Sequence, residues 1–379
     1  MPLEGELLVQ LIWNGQHVER VMVRSTRPST LARVLVGMTP TSVLATVPLL
    51  FSICARAQGA AAASALNAAR AMEVSDANER ELDVLLETVQ EYFWRLLIDW
   101  PEAMAQRPVT TPVATARRLI EASLSNADGA RGQEGALAIS ELAAALSASA
   151  TESIYGLPPA AWLALDERSF QAWIDEPPTL PARLLGELLS DTPRLGCSEV
   201  ALMPEVAEDQ LINVVAPAMV RDPAFARLPT WNGAPVETGV LARVRSEARV
   251  AAIMERCGNS VGTRMAARLV ELALMLNELG HPKPGRLRIQ AVRLAADEGL
   301  AAVQTARGLL LHRARVADGR VADYEIVAPT EWNFHPEGAL AHGIAELTAD
   351  SESALKQQAR LAVQALDPCV VCRIEVGHA

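Results

Sequence analysis

Aromatic residues are scarce in this chain, where Phe, Trp and Tyr together make up 4% of 379 residues. Half of all residues are hydrophobic, and most of these are Ala and Leu, so small and aliphatic side chains must fill the core. Both residue types favour the α-helix. The composition therefore predicts a predominantly helical protein that is large enough to bury a sizeable core.

Positive charge is in deficit, with 34 Lys and Arg against 45 Asp and Glu, which gives a net charge of −11. Proteins that bind nucleic acid neutralise phosphates with clustered Lys and Arg, and no such basic patch stands out here. Nucleic acid is therefore not an expected partner.

Cysteine is also sparse, and its odd count of five does not suit the disulfide framework of a secreted domain. No basic region precedes an apolar run at the N-terminus, so no secretory signal is expected. Residues 34–55 lack charge and could span a bilayer by length, but Pro40 and Pro48 interrupt them. We expect a cytoplasmic protein with a buried core segment, and no membrane span, at residues 34–55.

Hydrophobic periodicity and turn residues predict the elements along the chain. Alternating apolar residues around Asn14-Gly15 predict a hairpin over Leu7–Val23 with a type I′ turn. A second hairpin is predicted at Leu309–Val327, around Asp318-Gly319. Apolar residues at helical spacing predict helices at residues 79–100, 134–150, 261–279, 287–304 and 351–366.

No internal repeat, low-complexity tail or evident linker divides the chain. We therefore predict a single domain over residues 1–379. Its predicted fold is α+β and predominantly α-helical, with small β-hairpins near the N- and C-terminal ends. Trp162, Phe170 and Trp173 are expected to be core anchors. An alanine-rich helix follows Gln58, and its small side chains would let a neighbouring backbone or a bulky cofactor come close.

Cys369 and Cys372 form a Cys-x-x-Cys pair near the C-terminus. Two thiols at this spacing can converge on one soft metal, such as zinc, iron or nickel, or close a small disulfide. A zinc site would need two further ligands, of which His378 could be one. From spacing alone, a zinc half-site and a redox pair both stay open.

Three blocks resemble, in the same order, the large subunit of nickel–iron hydrogenases. The first is residues 3–7 with the following hairpin and Cys54, and the second is residues 231–243. The third runs from Arg307 to Cys372 and includes Pro329-Thr330-x-Trp-Asn. The blocks frame nearly the whole chain, although its middle third matches little. The resemblance implies the helical core of that large subunit.

The departures from the large-subunit pattern concern the metal ligands. That family holds nickel and iron on two Cys-x-x-Cys pairs, and the second cysteine of each pair bridges the metals. Here Cys54 aligns with a bridging cysteine, Phe51 stands in place of the nickel-only cysteine, and Gln58 replaces a histidine. In the alternative alignment, Cys54 is the first cysteine and Ala57 the lost second one. Glu375 replaces the C-terminal histidine, and no cleavable C-terminal extension is visible.

This pattern resembles the HupK/HoxV type of hydrogenase accessory protein. The resemblance implies a cytoplasmic maturation scaffold that binds iron as Fe(CN)2(CO), without nickel and without enzyme activity. Its implied partners are a Hyp-type iron chaperone and a hydrogenase large-subunit precursor. One alternative is a divergent large subunit that oxidises hydrogen. Another is an interaction protein that has lost its metal.

The resemblance also implies the site residues. The implied iron ligands are Cys54 and Cys372, with Cys369 next. The implied contacts to the diatomic ligands are made by the residues matching the family's arginine and its Pro-Thr pair, namely Arg307, Pro329 and Thr330.

Other residues receive structural roles. Trp332 and Asn333 are expected to hold their loop, and Cys197 and Cys257 to be buried, inert thiols. Glu4 matches a family glutamate that transfers protons in catalysis, and a structural or vestigial role is expected for it here.

Overall fold

The computed structural model describes residues 5–28, 31–72, 77–125, 133–280 and 288–378. The strands within these ranges are β1 (Leu7–Trp13), β2 (Val18–Ser25), β3 (Ile289–Ala295), β4 (Glu298–Thr305), β5 (Gly308–Ala317), β6 (Arg320–Val327) and β7 (Cys372–His378).

The helices of the described ranges include the predicted amphipathic, alanine-rich and C-terminal helices. They are α1 (Pro40–Leu50), α2 (Ala55–Ala69), α3 (Ala77–Trp94), α4 (Trp100–Ala103), α5 (Thr110–Ser125), α6 (Gln133–Ala150), α7 (Pro159–Leu163), α8 (Glu167–Asp175), α9 (Leu180–Ser190), α10 (Glu208–Gln210), α11 (Ala216–Arg221), α12 (Val240–Val244), α13 (Ala248–Cys257), α14 (Val261–Gly280), α15 (Pro329–Asn333), α16 (Ala339–Ala345) and α17 (Glu352–Leu366). None of these helices is long and apolar enough to cross a membrane. The predicted α-rich α+β class is confirmed.

The chain divides into two compact units. The first comprises Met1–Val84, Ser198–Arg243 and Leu287–Ala379, and the second comprises Leu85–Cys197 and Val244–Arg286. The single domain over residues 1–379 stays a prediction.

A three-stranded sheet in the first unit joins the two ends of the chain. Its order is β2-β1-β7, with β1 antiparallel to β2 and parallel to β7. Leu7, Val9 and Leu11 are fully buried on one face of β1, as their alternation requires. The N-terminal hairpin is confirmed, but the sequence did not predict β7, because parallel pairing with β1 is a contact between distant segments.

The turn of this hairpin differs from the predicted type I′ turn. Residues 14–17 connect the strands, and Gly15 has a positive φ of 97° whereas Asn14 has not. Asn14 Oδ1 instead accepts hydrogen bonds from the backbone N–H groups of Gln16 and His17. Hydrogen bonds to the Asn14 side chain thus replace the two left-handed residues that a type I′ turn requires.

The second sheet of this unit is antiparallel in the order β3-β4-β5-β6. Its β5–β6 hairpin is confirmed, with positive φ values of 50° at Asp318 and 72° at Gly319. The helix predicted at residues 287–304 is wrong, since β3 and β4 occupy this stretch. The reason is that β4 is buried on both faces, so its apolar residues do not alternate, and a short apolar run does not distinguish a strand from a helix.

Helix α2 packs closely on β4. Ala62 and Ala65 of this helix share a buried cluster with Ala301 of the sheet. A Cβ added at Gly299 would overlap the carbonyl oxygen of Ala65, so the strand and the helix backbone touch at this point. The small side chains predicted after Gln58 therefore allow close approach of a neighbouring backbone.

The second unit is helical and is built on α14, which packs against α6, α7, α9 and α13. Two of its buried charged residues have hydrogen-bond partners within the unit: Arg264 Nη1 donates to the Gly196 carbonyl at 3.0 Å, and the Tyr92 hydroxyl donates to Glu271 Oε2 at 2.5 Å. The predicted aromatic anchors Trp162, Phe170 and Trp173 are buried, with ring centroids 5.4–6.1 Å apart.

Candidate functional site

Cys54 lies in the first unit, at the end of a short 3-10 turn that joins α1 to α2. Phe51 ends α1 and is 5% exposed. Gln58 follows Cys54 by one helical turn and is buried, and its Nε2 donates to Cys54 Sγ at 3.7 Å. The residue that replaces the family histidine therefore still offers a hydrogen bond to the cysteine sulfur.

Two buried side chains fix the orientation of Gln58. Its Oε1 lies 2.8 Å from His312 Nε2, and His312 Nδ1 lies 2.8 Å from the Tyr324 hydroxyl. Because Oε1 can only accept, Nε2 carries the imidazole proton and Nδ1 accepts from Tyr324. Burial lowers the pKa of His312 to about 3, which keeps this neutral form. Tyr324, His312 and Gln58 thus form a series of hydrogen bonds that ends at the Cys54 sulfur.

Cys369 is buried in the segment that follows α17. The chain leaves the helix at Asp367, whose φ of 54° is left-handed. Cys369 N donates to Thr330 Oγ1 at 3.1 Å, and the same hydroxyl lies 3.0 Å from Cys369 Sγ. Arg27 Nη2 donates to this sulfur at 2.7 Å. The hydroxyl hydrogen of Thr330 can point to the sulfur as well, an arrangement that also suits a metal-bound thiolate.

Arg27 is a site residue that the sequence analysis missed. Its Nε lies 3.8 Å from Glu331 Oε1, which also accepts from the Ser25 hydroxyl at 3.3 Å. Burial disfavours the charge of Arg27, but the neighbouring Cys369 and Glu331 outweigh burial, and the pKa of Arg27 lies above its ordinary value. Only a lone arginine before a proline marks this position in the sequence, and such a residue has no distinctive spacing.

Arg307 is buried, and its Nε lies 3.4 Å from Asp367 Oδ1. Gly308 has a φ of 129°, and a side chain there would collide with Thr238. Asn333 Oδ1 accepts from Thr238 N at 2.8 Å, and its Nδ2 donates to the Arg307 carbonyl at 3.4 Å. The predicted role of Asn333 in holding the loop is confirmed. Its hydrogen bonds connect the second and third blocks that resemble the large subunit.

These residues meet at one small cavity, which we call the thiol cavity. Its volume is about 10 Å³, enough for about one water molecule. Four predicted site residues line it, namely Cys54, Cys369, Arg307 and Pro329, and Arg27 lines it with them. Thr330 reaches the same site through its two contacts with Cys369.

Cys372 is placed differently. It begins β7 opposite Leu7, and burial raises the pKa of its thiol to about 12. Cys372 is not among the described residues that line the thiol cavity. His378 ends the same strand. A strand of this length separates it from Cys372 by about 20 Å, so the two cannot share a zinc ion.

The structure places the remaining thiols elsewhere. Cys197 and Cys257 belong to the second unit, and burial raises the pKa of the Cys257 thiol. In the described part of the chain, no group of three or more His, Cys, Asp or Glu residues could hold a metal ion. Glu4 lies outside the described residues.

The fold is that of the nickel–iron hydrogenase large subunit. The Ni-Fe-Se hydrogenase from D. vulgaris Hildenborough superimposes with a TM-score of 0.58 over 94% of both chains, at 17% sequence identity. Residues 220–375 match the nickel-dependent hydrogenase family. These similarities define a protein with the large-subunit fold.

Two relatives specify the family further. The hydrogenase expression/formation protein HupK of Rhizobium leguminosarum bv. viciae is 31% identical over 95% of this chain and 93% of its own length. The hydrogenase expression/formation protein HoxV of Cupriavidus necator is 28% identical over 94% of this chain and 93% of its own. The chain belongs to the HupK/HoxV/HupV family of hydrogenase expression/formation proteins, whose named members are maturation proteins and not catalytic hydrogenases.

Proposed function

We propose that this maturation protein is a scaffold that binds the iron fragment Fe(CN)2(CO) during assembly of the nickel–iron site and passes it toward the large subunit. The observation that carries the proposal is the meeting of Cys54, Cys369, Arg307 and Pro329 at the thiol cavity. An iron ion that already carries three diatomic ligands needs only a few protein ligands, and thiolates suit it.

The donor set fits the fragment. Cys54 and Cys369 supply thiols from two separate segments, and the resemblance adds Cys372 as a further ligand. A guanidinium is always charged and offers several donors, so Arg307 can donate to a cyanide nitrogen. The cavity volume of about 10 Å³ means that side chains around it must move when the fragment binds.

Phe51 argues against nickel and against hydrogen turnover. It stands where the family has the nickel-only cysteine, and it lines the thiol cavity. A phenyl ring has no lone pair to donate, and its bulk fills the space that a thiolate and a nickel ion would need. The competing function, a divergent large subunit that oxidises hydrogen, requires stoichiometric nickel and hydrogen-dependent dye reduction by the isolated chain. Metal analysis after anaerobic expression with added nickel separates the two.

The partners follow from the proposed role. A Hyp-type iron chaperone would deliver the fragment, and a hydrogenase large-subunit precursor would receive it. The names of the relatives, which refer to hydrogenase expression and formation, support this setting. Pull-down of the precursor with the wild-type chain and with Cys54→Ala would show whether the interaction depends on the loaded site. An interaction protein without metal would bind the precursor equally well in both forms.

Iron content of cysteine variants tests the proposal. The chain is purified anaerobically from cells that contain the maturation machinery. We expect Cys54→Ala and Cys369→Ala to lose iron by more than about tenfold, because even groups outside the ligand shell alter metal affinity by about 10–100-fold. Cys257→Ala, in the second unit, is the matched control and should keep its iron. Full iron in Cys54→Ala would refute the scaffold.

The same series decides the role of Cys372. Loss of iron in Cys372→Ala would support the ligand set that the resemblance implies. Retention would assign the C-terminal ligand to Cys369 alone, since this thiol and not Cys372 lines the thiol cavity.

A further inference from the structure

A second and much larger cavity lies in the first unit and has a volume of about 460 Å³. We call it the arginine cleft, because Arg27, Arg33, Arg227 and Arg313 line it from three separate segments. Three carboxylates, those of Asp323, Glu325 and Glu331, line it as well, so the concentration of arginines leaves a small positive excess here, although the whole chain carries a net charge of −11. Neither the fold nor the proposed iron ligands account for this concentration.

The arginines of the cleft differ in their surroundings. Arg313 is held by carboxylates, with Glu298 at 2.5 Å, Asp323 at 3.5 Å and Glu325 at 3.6 Å. Arg33 and Arg227 are exposed at the cleft. They can therefore turn their guanidinium groups toward a ligand without leaving a buried ion pair, and they give the cleft its capacity for an anion.

Arg27 connects the arginine cleft to the thiol cavity. Arg27, Phe51 and Ala328 line both cavities, so they form the boundary between them. Arg27 also donates to Cys369 Sγ at 2.7 Å across this boundary. The thiol cavity holds about one water molecule, whereas the cleft is large enough for a metal ion with several diatomic ligands.

We propose that the arginine cleft binds a metal–cyanide anion and is the site where such a cargo docks before it reaches Cys54 and Cys369. This inference rests on the proposed function and names the surface that first receives the cargo. Cyanide nitrogens of the docked anion accept hydrogen bonds from Arg33, Arg227 and Arg27. Arg27 then guides the anion past Phe51 to the cysteines, because it touches both cavities.

Calorimetric titration with hexacyanoferrate(II) tests this inference without any cellular loading. The full chain is purified anaerobically from cells that lack the maturation machinery. We expect saturable binding of one anion per chain. Arg33→Glu, at an exposed position, should weaken binding by about tenfold or more, and Arg27→Met should do the same. Arg20→Glu, exposed on β2 and outside the cleft, is the control and should bind like the wild type.

Three results would overturn the inference: no saturable binding, equal affinity in Arg33→Glu and the wild type, or displacement of the probe by equimolar sulfate, which would mark a general anion site. The proposed function would fail on a different result, namely a chain that contains no iron after purification from cells with the maturation machinery. A chain that carries iron in cells but does not bind hexacyanoferrate(II) would refute the cleft and leave the scaffold standing.

Discussion

Buried His312 makes the stability of the chain depend on pH. Its pKa is about 3 in the folded protein, against an ordinary value of 6.5 in the unfolded chain. Between these values the unfolded state binds a proton that the folded state does not. The free energy of unfolding therefore falls by about 1.4 kcal/mol per pH unit as the pH drops below 6.5, or about 2 kcal/mol at pH 5. Above pH 6.5 this loss is absent.

The perturbation is His312→Phe, which removes the titrating group. The variant should be less stable at pH 7.5, because the buried amide of Gln58 loses a partner at a cost of about 1–3 kcal/mol. Its decrease in stability between pH 7.5 and pH 5 should be smaller than that of the wild type by about 2 kcal/mol. Urea unfolding followed by circular dichroism at both pH values measures this, with His342→Gln at an exposed position of α16 as control. Equal pH dependence in all three proteins would refute the neutral buried imidazole.

Three further predictions concern the metal site and the packing beneath it. Arg307→Leu should lower the iron occupancy and shift the cyanide infrared bands, because a charge-assisted hydrogen bond contributes about 1.5–3 kcal/mol; unshifted bands would separate Arg307 from the iron. Gly299→Ala should destabilise the chain by about 1–3 kcal/mol, measured by urea unfolding, because its Cβ overlaps the α2 backbone. Gly280→Ala, with no atom within 4 Å of its Cβ, should stay within about 0.5 kcal/mol of the wild type. Phe51→Cys alone should not confer stoichiometric nickel, because Glu375 still stands in place of the family histidine near the C-terminal cysteines; stoichiometric nickel in metal analysis would show that the phenyl ring alone excludes it.

Elements defined by local pattern could be predicted from the sequence. The β5–β6 hairpin follows from Asp318-Gly319, because this pair supplies both positive φ values that a two-residue turn needs. Helix α17 follows from its apolar spacing, and Ser351 caps it by accepting from Ala354 N. In both cases neighbouring residues alone decide the conformation.

Elements defined by distant contacts could not be predicted. β4 is covered on both faces, and this removes the alternation by which a strand is recognised, while β3 becomes a strand because it pairs with β4. β7 exists because its residues pair with β1, from Leu7↔Cys372 to Trp13↔His378. Nothing near β7 in the sequence indicates that partner.

The same distinction between local pattern and distant contacts applies to the residues of the candidate site. Cys54, Cys369 and Arg307 could be named because their motifs resemble those of the large subunit, and the structure brings all three to one cavity. Arg27 could not be named, because its importance comes from contacts with Cys369 and Glu331, which are distant in sequence. Cys372 shows what spacing alone does not predict. It lies three residues after Cys369, but it begins β7, and the surroundings of the two thiols therefore differ.

The infrared spectrum of the chain, purified anaerobically from cells with intact maturation machinery, tests the scaffold most directly. Carbon monoxide and cyanide stretches should be present, together with about one iron per chain and no stoichiometric nickel, and Cys54→Ala should lose the bands while Cys257→Ala keeps them. Absence of these bands from the wild-type chain, or bands that persist in Cys54→Ala, would contradict the account.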